Sequence, residues 1–201
     1  MSNNKRIAKN TLFLYFRMFL IMGVSLYISR VVLETLGVDD FGIYNVVGGI
    51  VTMFSFINGS LGSATSRYIT FELGKKDYSK LNQIFNVAFV VHIFIAVIIV
   101  ILAETVGLWF FFFFLVIPED RISAAFWVYQ ISILTSFFSM TQVPYNAVII
   151  ARENMKVYAY VGIFEVLAKL LIVYMIKFSP IDTLIYYAML LCVLQISILL
   201  Y

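Results

Sequence analysis

The chain is poor in the residues on which catalysis and cross-linking depend. Its 201 residues include one cysteine, Cys192, and one histidine, His92. A single thiol excludes an internal disulfide and a cysteine metal cluster, and a single imidazole excludes a multi-histidine site. No phosphate-binding glycine loop, metal-ligand spacing or assembled serine–histidine–acid set is present, so no enzyme, cofactor or metal is expected. Charged residues make up 12%, about half the ~25% usual in soluble domains. What is abundant is apolar: 63% of residues are hydrophobic and 17% aromatic, and mean hydropathy is +0.98. One core in water cannot hide that much apolar surface. A soluble enzyme, a nucleic-acid-binding module and a disordered chain are therefore excluded, and the composition is that of an all-α polytopic membrane protein. The net charge of +3 says little about partners by itself.

Apolar runs long enough for a hydrocarbon layer of about 30 Å fall near residues 10–33, 41–63, 84–106, 122–150, 157–178 and 183–201. They predict six transmembrane helices with connections at 34–40, 64–83, 107–121, 151–156 and 179–182. Lysine and arginine resist translocation, so they mark the cytoplasmic side. The N-terminal segment and the second and fourth connections hold Lys5, Arg6, Lys9, Arg67, Lys75, Lys76, Lys80, Arg152 and Lys156. The opposite side has only Arg121 and Lys177. Both termini are expected in the cytoplasm. The first run is interrupted by Arg17 and lacks a small-x-small cleavage site, so it reads as an uncleaved helix rather than a signal peptide. In the third region, 84–117 as one helix would measure about 50 Å. A bend is expected at Glu104 and Gly107, with the aromatic stretch 108–117 lying along the outer interface. The last run stops on Ile-Leu-Leu-Tyr with no polar tail, the look of a truncated protein.

Polar residues recur on two of the runs. Asn45, Gly48, Thr52, Ser55, Gly59, Gly62 and Ser66 share a face of the second; Ser132, Thr135, Ser139, Gln142 and Asn146 share a face of the fourth, which Pro144 is expected to kink. Close helix packing explains such stripes, and so does a wet cavity; the glycines favour packing, Gln142 and Asn146 favour water or ligand. Charges within the membrane cost about 2.5–3.5 kcal/mol each on the insertion scale. Glu165 and Lys169 lie four apart with the acid first, the order that suits an ion pair. They read either as a self-neutralising pair or with Lys169 as a cavity cation. Glu165 is the one deep carboxylate and hence the candidate for ion coupling. Arg17 either snorkels to the headgroups or faces the interior; Arg30 is within reach of Glu34. The two arginines are about 140° apart around a helix, so they share a narrow cavity only if the helix breaks, near Gly23. His92 is either a proton carrier or a histidine bonded to a neighbouring helix.

Several segments together resemble the start of bacterial polysaccharide-biosynthesis flippases: residues 10–17 (NTLFLYFR), 29–33 (SRVVL) and 36–49 (LGVDDFGIYNVVGG). Arg67-Tyr68 with Phe71 to Lys75, residues 117–121 (IPEDR) and 144–147 (PYNA) continue the likeness. These flippases are the O-antigen and lipid-linked oligosaccharide translocases of the multidrug/oligosaccharidyl-lipid/polysaccharide (MOP) exporter superfamily. The likeness spans essentially the whole chain and is specific as a set. Two departures stand out: the family has two lobes of six or more helices and this chain holds the first, and the Phe110–Phe114 run replaces a stretch expected to be more polar.

The resemblance implies one six-helix lobe, residues 1–201, of a MATE-like two-lobe transporter in the bacterial inner membrane. It implies translocation of undecaprenyl-pyrophosphate-linked oligosaccharide by alternating access, for surface polysaccharide such as the O-antigen of lipopolysaccharide. Arginine suits a pyrophosphate through its forked donors, which makes Arg17, Arg30 and Lys169 the expected headgroup contacts. Asn45, Gln142 and Asn146 are the expected sugar contacts. Implied partners are the lipid-linked oligosaccharide, membrane lipids, a second lobe or second chain, and a polysaccharide polymerase; nucleic acid is not one. A cation-coupled drug or metabolite exporter on the same fold, with Glu165 carrying the ion, is the alternative. A scaffold packing against a polymerase or glycosyltransferase through Gly48 and Gly59 is the third reading.

Overall fold

A computed structural model describes residues 3–53 and 56–200, with the side chains of 3–10, 52 and 56–58 left out of the description. Ser55, Tyr201 and the side chains of Lys5, Arg6, Lys9 and Thr52, all named above, lie outside it. The chain forms α1 (Asn3–Thr52), α2 (Phe56–Lys75), α3 (Tyr78–Leu102), α4 (Leu108–Phe114), α5 (Ile122–Ala151), α6 (Met155–Met175) and α7 (Thr183–Leu200), and no strand among the described residues. It is an all-α polytopic membrane protein. Among the described residues, five helical stretches are long and apolar enough to span a bilayer, the first being the 41 residues Thr11–Val51.

The first stretch is not one crossing. Gly37 breaks it with φ 81° and ψ 172°, a backbone conformation open essentially to glycine alone. Before Gly37, Arg17 lies over Tyr158, the Tyr27 and Tyr174 hydroxyls are 2.9 Å apart, and Val32 packs near Val173 and Ile176. That order runs parallel to α6. After Gly37, Asp40 meets Arg121, Gly48 lines a cavity with Ser132, and Gly62 abuts Val143. This second order runs parallel to α5. Because α5 and α6 are antiparallel, the chain reverses at Gly37, and the described residues traverse the bundle six times. The run expected at 41–63 is thus shared between the end of α1 and the start of α2.

The connection expected at 64–83 is almost entirely helical. Only Lys76 and Asp77 interrupt it, because α2 and α3 project their polar turns beyond the apolar layer. Lys76 is left-handed (φ 59°), and the bonds Asp77 N–H to Glu72 C=O and Lys76 N–H to Leu73 C=O close the helix end. The α5–α6 turn repeats this device at Glu153 (φ 52°), with Asn154 N–H to Ile149 C=O and Glu153 N–H to Ile150 C=O. Asp77 then caps α3 by accepting from Lys80 N–H. Two tight turns therefore shape the end that carries Lys75, Lys80 and Arg152.

At the other end, the irregularity expected near Glu104 is a π turn, Ala103–Gly107. The Tyr129 hydroxyl donates at 2.7 Å to the Ala103 carbonyl, which also accepts the Leu108 N–H of the π turn. Gly107 leaves the space that this hydroxyl fills. The helix continues through the turn to Phe114, and Phe111 is 2% exposed among Ala125, Val128 and Tyr129. The aromatic stretch therefore packs on α5 rather than leaving along the interface. Trp109, Phe112, Phe113 and Phe114 point outward.

Helix α5 is central, with α1, α2, α3 and α7 around it, while α6 packs on α1 and α7. Leu12, Phe19, Val90, Phe94, Phe164 and Val193 are exposed on the outer surface. That inside-out pattern is stable against lipid, where helices satisfy their own backbone groups.

Candidate functional site

Three cavities carry the polar residues of the interior. The first, about 720 Å³, lies between α2, α5 and α6 and is lined by Ser66, Arg67, Thr70, Asn146 and Tyr158. Arg17 stacks on the same Tyr158, with its guanidinium carbon 4.3 Å from the ring centroid. Gly162 makes this approach feasible, since any Cβ there would collide with Arg17 Nε. That nitrogen is buried and has no hydrogen-bond partner among the described residues. A desolvated N–H without an acceptor is costly, and an anion reaching this corner would supply one.

The second cavity, about 390 Å³, is lined by Asn82, Gln142, Tyr145, Asn146 and Arg152. Asn146 is the wall common to both. Phe85 and Phe89 pack edge-on to Tyr145, with ring centroids 5.4 and 5.9 Å away, and fix the outer side of this pocket.

The third cavity, about 340 Å³, lies deeper and is lined by α1, α5, α6 and α7 through Tyr44, Ser136, Glu165, Lys169, Tyr187 and Gln195. Lys169 Nζ donates to Glu165 Oε1 at 2.6 Å. Gln195 Nε2 donates to Gln142 Oε1 at 2.8 Å, so this amide bridge stands between the second and third cavities.

The six expected contact residues are thus divided. Gln142 and Asn146 share a cavity, and Asn146 also shares one whose Tyr158 carries Arg17. Lys169 is held by Glu165 in the deep cavity. Arg30 is away from all three, bonded to Glu34 at 2.9 Å with 77% of its side chain exposed. Asn45 donates to the Phe41 carbonyl of its own helix and lines none of the three. Helix α1 stays helical at Gly23, so Arg17 and Arg30 point to different sides as their spacing requires. His92, 2% exposed, bonds to Ala88 of its own helix rather than a neighbouring one.

Sequence reasoning missed Arg67, Tyr158, Tyr187 and Gln195. In the sequence Arg67 reads as a charge in a connection and as part of the family likeness, but not as a cavity residue, because the polarity of 64–75 hides its helix. Gln195 did carry a signal: it is the only amide or charged side chain in the apolar helix Thr183–Leu200. Nothing in the local sequence distinguishes Tyr158 or Tyr187 from the other tyrosines.

Helices apolar on the outside, with polar cavities and an ion pair between them, define a polytopic membrane protein. The chain belongs to the MatE family, whose model matches residues 14–175. Members of this family are transporters of the MOP superfamily rather than enzymes. Comparison with curated proteins and with solved structures returned no match.

Proposed function

We propose that the protein carries a lipid-linked oligosaccharide, with undecaprenyl pyrophosphate as its lipid, from the inner to the outer leaflet of the bacterial cytoplasmic membrane. One observation carries this reading: a buried guanidinium nitrogen of Arg17 lacks a partner among the described residues, beside a cavity that also holds Arg67 and Asn146. Fixed cations at the end of the bundle that carries Arg152 suit a diphosphate, while the polyprenyl tail stays in lipid. Residues with the lysine and arginine excess lie at the Arg152 end, which we place in the cytoplasm together with both termini. The headgroup then enters from the leaflet where such lipids are assembled. Alternating access needs a facing wall, and the family resemblance suggests a second lobe or a second chain as its source. Of the expected contacts, Arg17 keeps the headgroup, Gln142 keeps the adjoining sugars, and Asn146, expected on the sugars, is reassigned to the headgroup pocket it lines.

The cation-coupled exporter is favoured by one feature, a carboxylate facing the deep cavity. The Lys169 ammonium 2.6 Å from Glu165 already fills the place of a coupling cation, which weighs against it. Deleting the gene in the source cell separates the two readings. Lipid-linked oligosaccharide building up on the cytoplasmic leaflet, with loss of surface polymer, is the expected result. Normal lipid-linked pools with altered drug or metabolite retention would overturn the flippase reading.

A further inference from the structure

We propose that the deep cavity between α1, α5, α6 and α7 is a binding subsite for an uncharged, hydroxyl-rich group, namely a saccharide ring. The source of that ring rests on the flippase reading; the chemistry of the cavity does not. Its two ionised groups cancel, since Lys169 Nζ lies 2.6 Å from Glu165 Oε1. A phosphate would find its cation taken, and a metal cation would have to displace the lysine.

What the cavity offers instead is uncommitted neutral hydrogen-bonding capacity. Tyr187 is 7% exposed and lines the cavity, and its hydroxyl has no partner among the described residues. The hydroxyls of Ser132, Ser136 and Ser139 line the same space, likewise without partners among the described residues. Gln195 commits one amide N–H to Gln142, and its carbonyl oxygen has no partner among the described residues. Unsatisfied polar groups within a bilayer are costly. A hydroxyl both donates and accepts, so a polyol can use both capacities of these hydroxyls and also donate to the Gln195 carbonyl, whereas an anion could accept from the hydroxyls but could not bond that carbonyl. The Tyr44 and Tyr187 rings, with centroids 5.0 Å apart at 58°, add an amphipathic wall for the C–H face of a sugar. The volume of about 340 Å³ lies in the range of small-ligand sites. Position agrees as well. The Gln142–Gln195 bridge joins this cavity to the one that shares Asn146 with the arginine pocket, so sugars following a headgroup held there would pass it.

The test uses the full chain in lipid nanodiscs, with Cys192→Ala and Ser136→Cys providing one reporter thiol in the cavity. Its alkylation rate is measured with galactose, N-acetylglucosamine, sucrose, inorganic pyrophosphate, or sodium against choline chloride. The expected result is several-fold slowing by at least one neutral saccharide and none by pyrophosphate or sodium. Tyr187→Phe, which removes one oxygen, should lose most of that protection at unchanged thermal midpoint; Ser139→Ala serves if the tyrosine variant is unstable. Slowing by sodium but by no sugar would overturn the proposal in favour of a cation site. No slowing by any of the sugars would overturn it too. The leaflet assay of lipid-linked oligosaccharide is read separately: sugar protection without translocation retires the flippase reading and leaves the subsite, and translocation without protection does the reverse.

Discussion

Arg121 grips the carboxylate of Asp40, 81 residues away in sequence, with two guanidinium nitrogens and turns the third to Asp182 at 2.6 Å. Asp40 follows the Gly37 reversal, Arg121 precedes α5, and Asp182 caps α7 by accepting from Leu184 and Ile185 N–H. One side chain therefore ties three connections at the same end of the bundle. Arg121→Ala would leave the buried Asp40 carboxylate uncompensated, a change that costs about 3 kcal/mol or more. Thermal unfolding followed by tryptophan fluorescence in detergent should show a large drop. Lysine should rescue only in part, because it lacks the fork.

Gly107 and Tyr129 form a second test. A methyl group at Gly107 meets the tyrosine hydroxyl, so Gly107→Ala should destabilise by about 1–3 kcal/mol through overpacking. Tyr129→Phe should cost about 1 kcal/mol through the lost bond to Ala103. The double variant should be more stable than the sum of the two, since the clash and the bond share one oxygen. Denaturation of all three variants against the parent checks this.

Gly162 tests Arg17 without altering its charge. Gly162→Ala should push the guanidinium off Tyr158 and reduce translocation to near the level of Arg17→Ala, with membrane abundance unchanged. Full transport in both variants would remove Arg17 from the headgroup assignment. Arg30→Ala should have little effect, because Arg30 lies exposed beside Glu34 and away from the cavities.

The deep ion pair should behave as a unit. Lys169→Ala leaves Glu165 unmatched and should cost about 1–2 kcal/mol, between the exposed and buried extremes. Glu165→Gln combined with Lys169→Met should lie closer to the parent in thermal stability. Proton- or sodium-driven efflux lost in Glu165→Gln alone would instead favour the exporter.

The helical membrane class was legible because hydropathy over twenty residues is a local property, and so was the Glu165–Lys169 pair, whose partners are one turn apart. The charge bias likewise pointed to the Arg152 end. What stayed hidden depends on contacts between distant parts of the chain. The Arg121 clasp joins residues that composition could only count as charges in connections. The stacking of Arg17 on Tyr158 depends on the absence of a Cβ at Gly162. The polarity of residues 64–75 looked like a loop because a helix that leaves the apolar layer loses its hydropathy signal but not its hydrogen bonds. Gly37 was read as part of a motif, whereas its positive φ is what reverses the chain.

The pairing of Glu165 with Lys169 also bears on membrane voltage. Moving one elementary charge across the membrane potential involves about 2.3 kcal/mol per 100 mV. A pair with no net charge contributes nothing to that work when it is translated across the field, and only a small amount when it turns, so this part of the protein can change its exposure with little regard to the state of energisation. Any electrogenic component of transport would then have to come from other charges, which on the flippase reading include the phosphates and the arginines proposed to meet them.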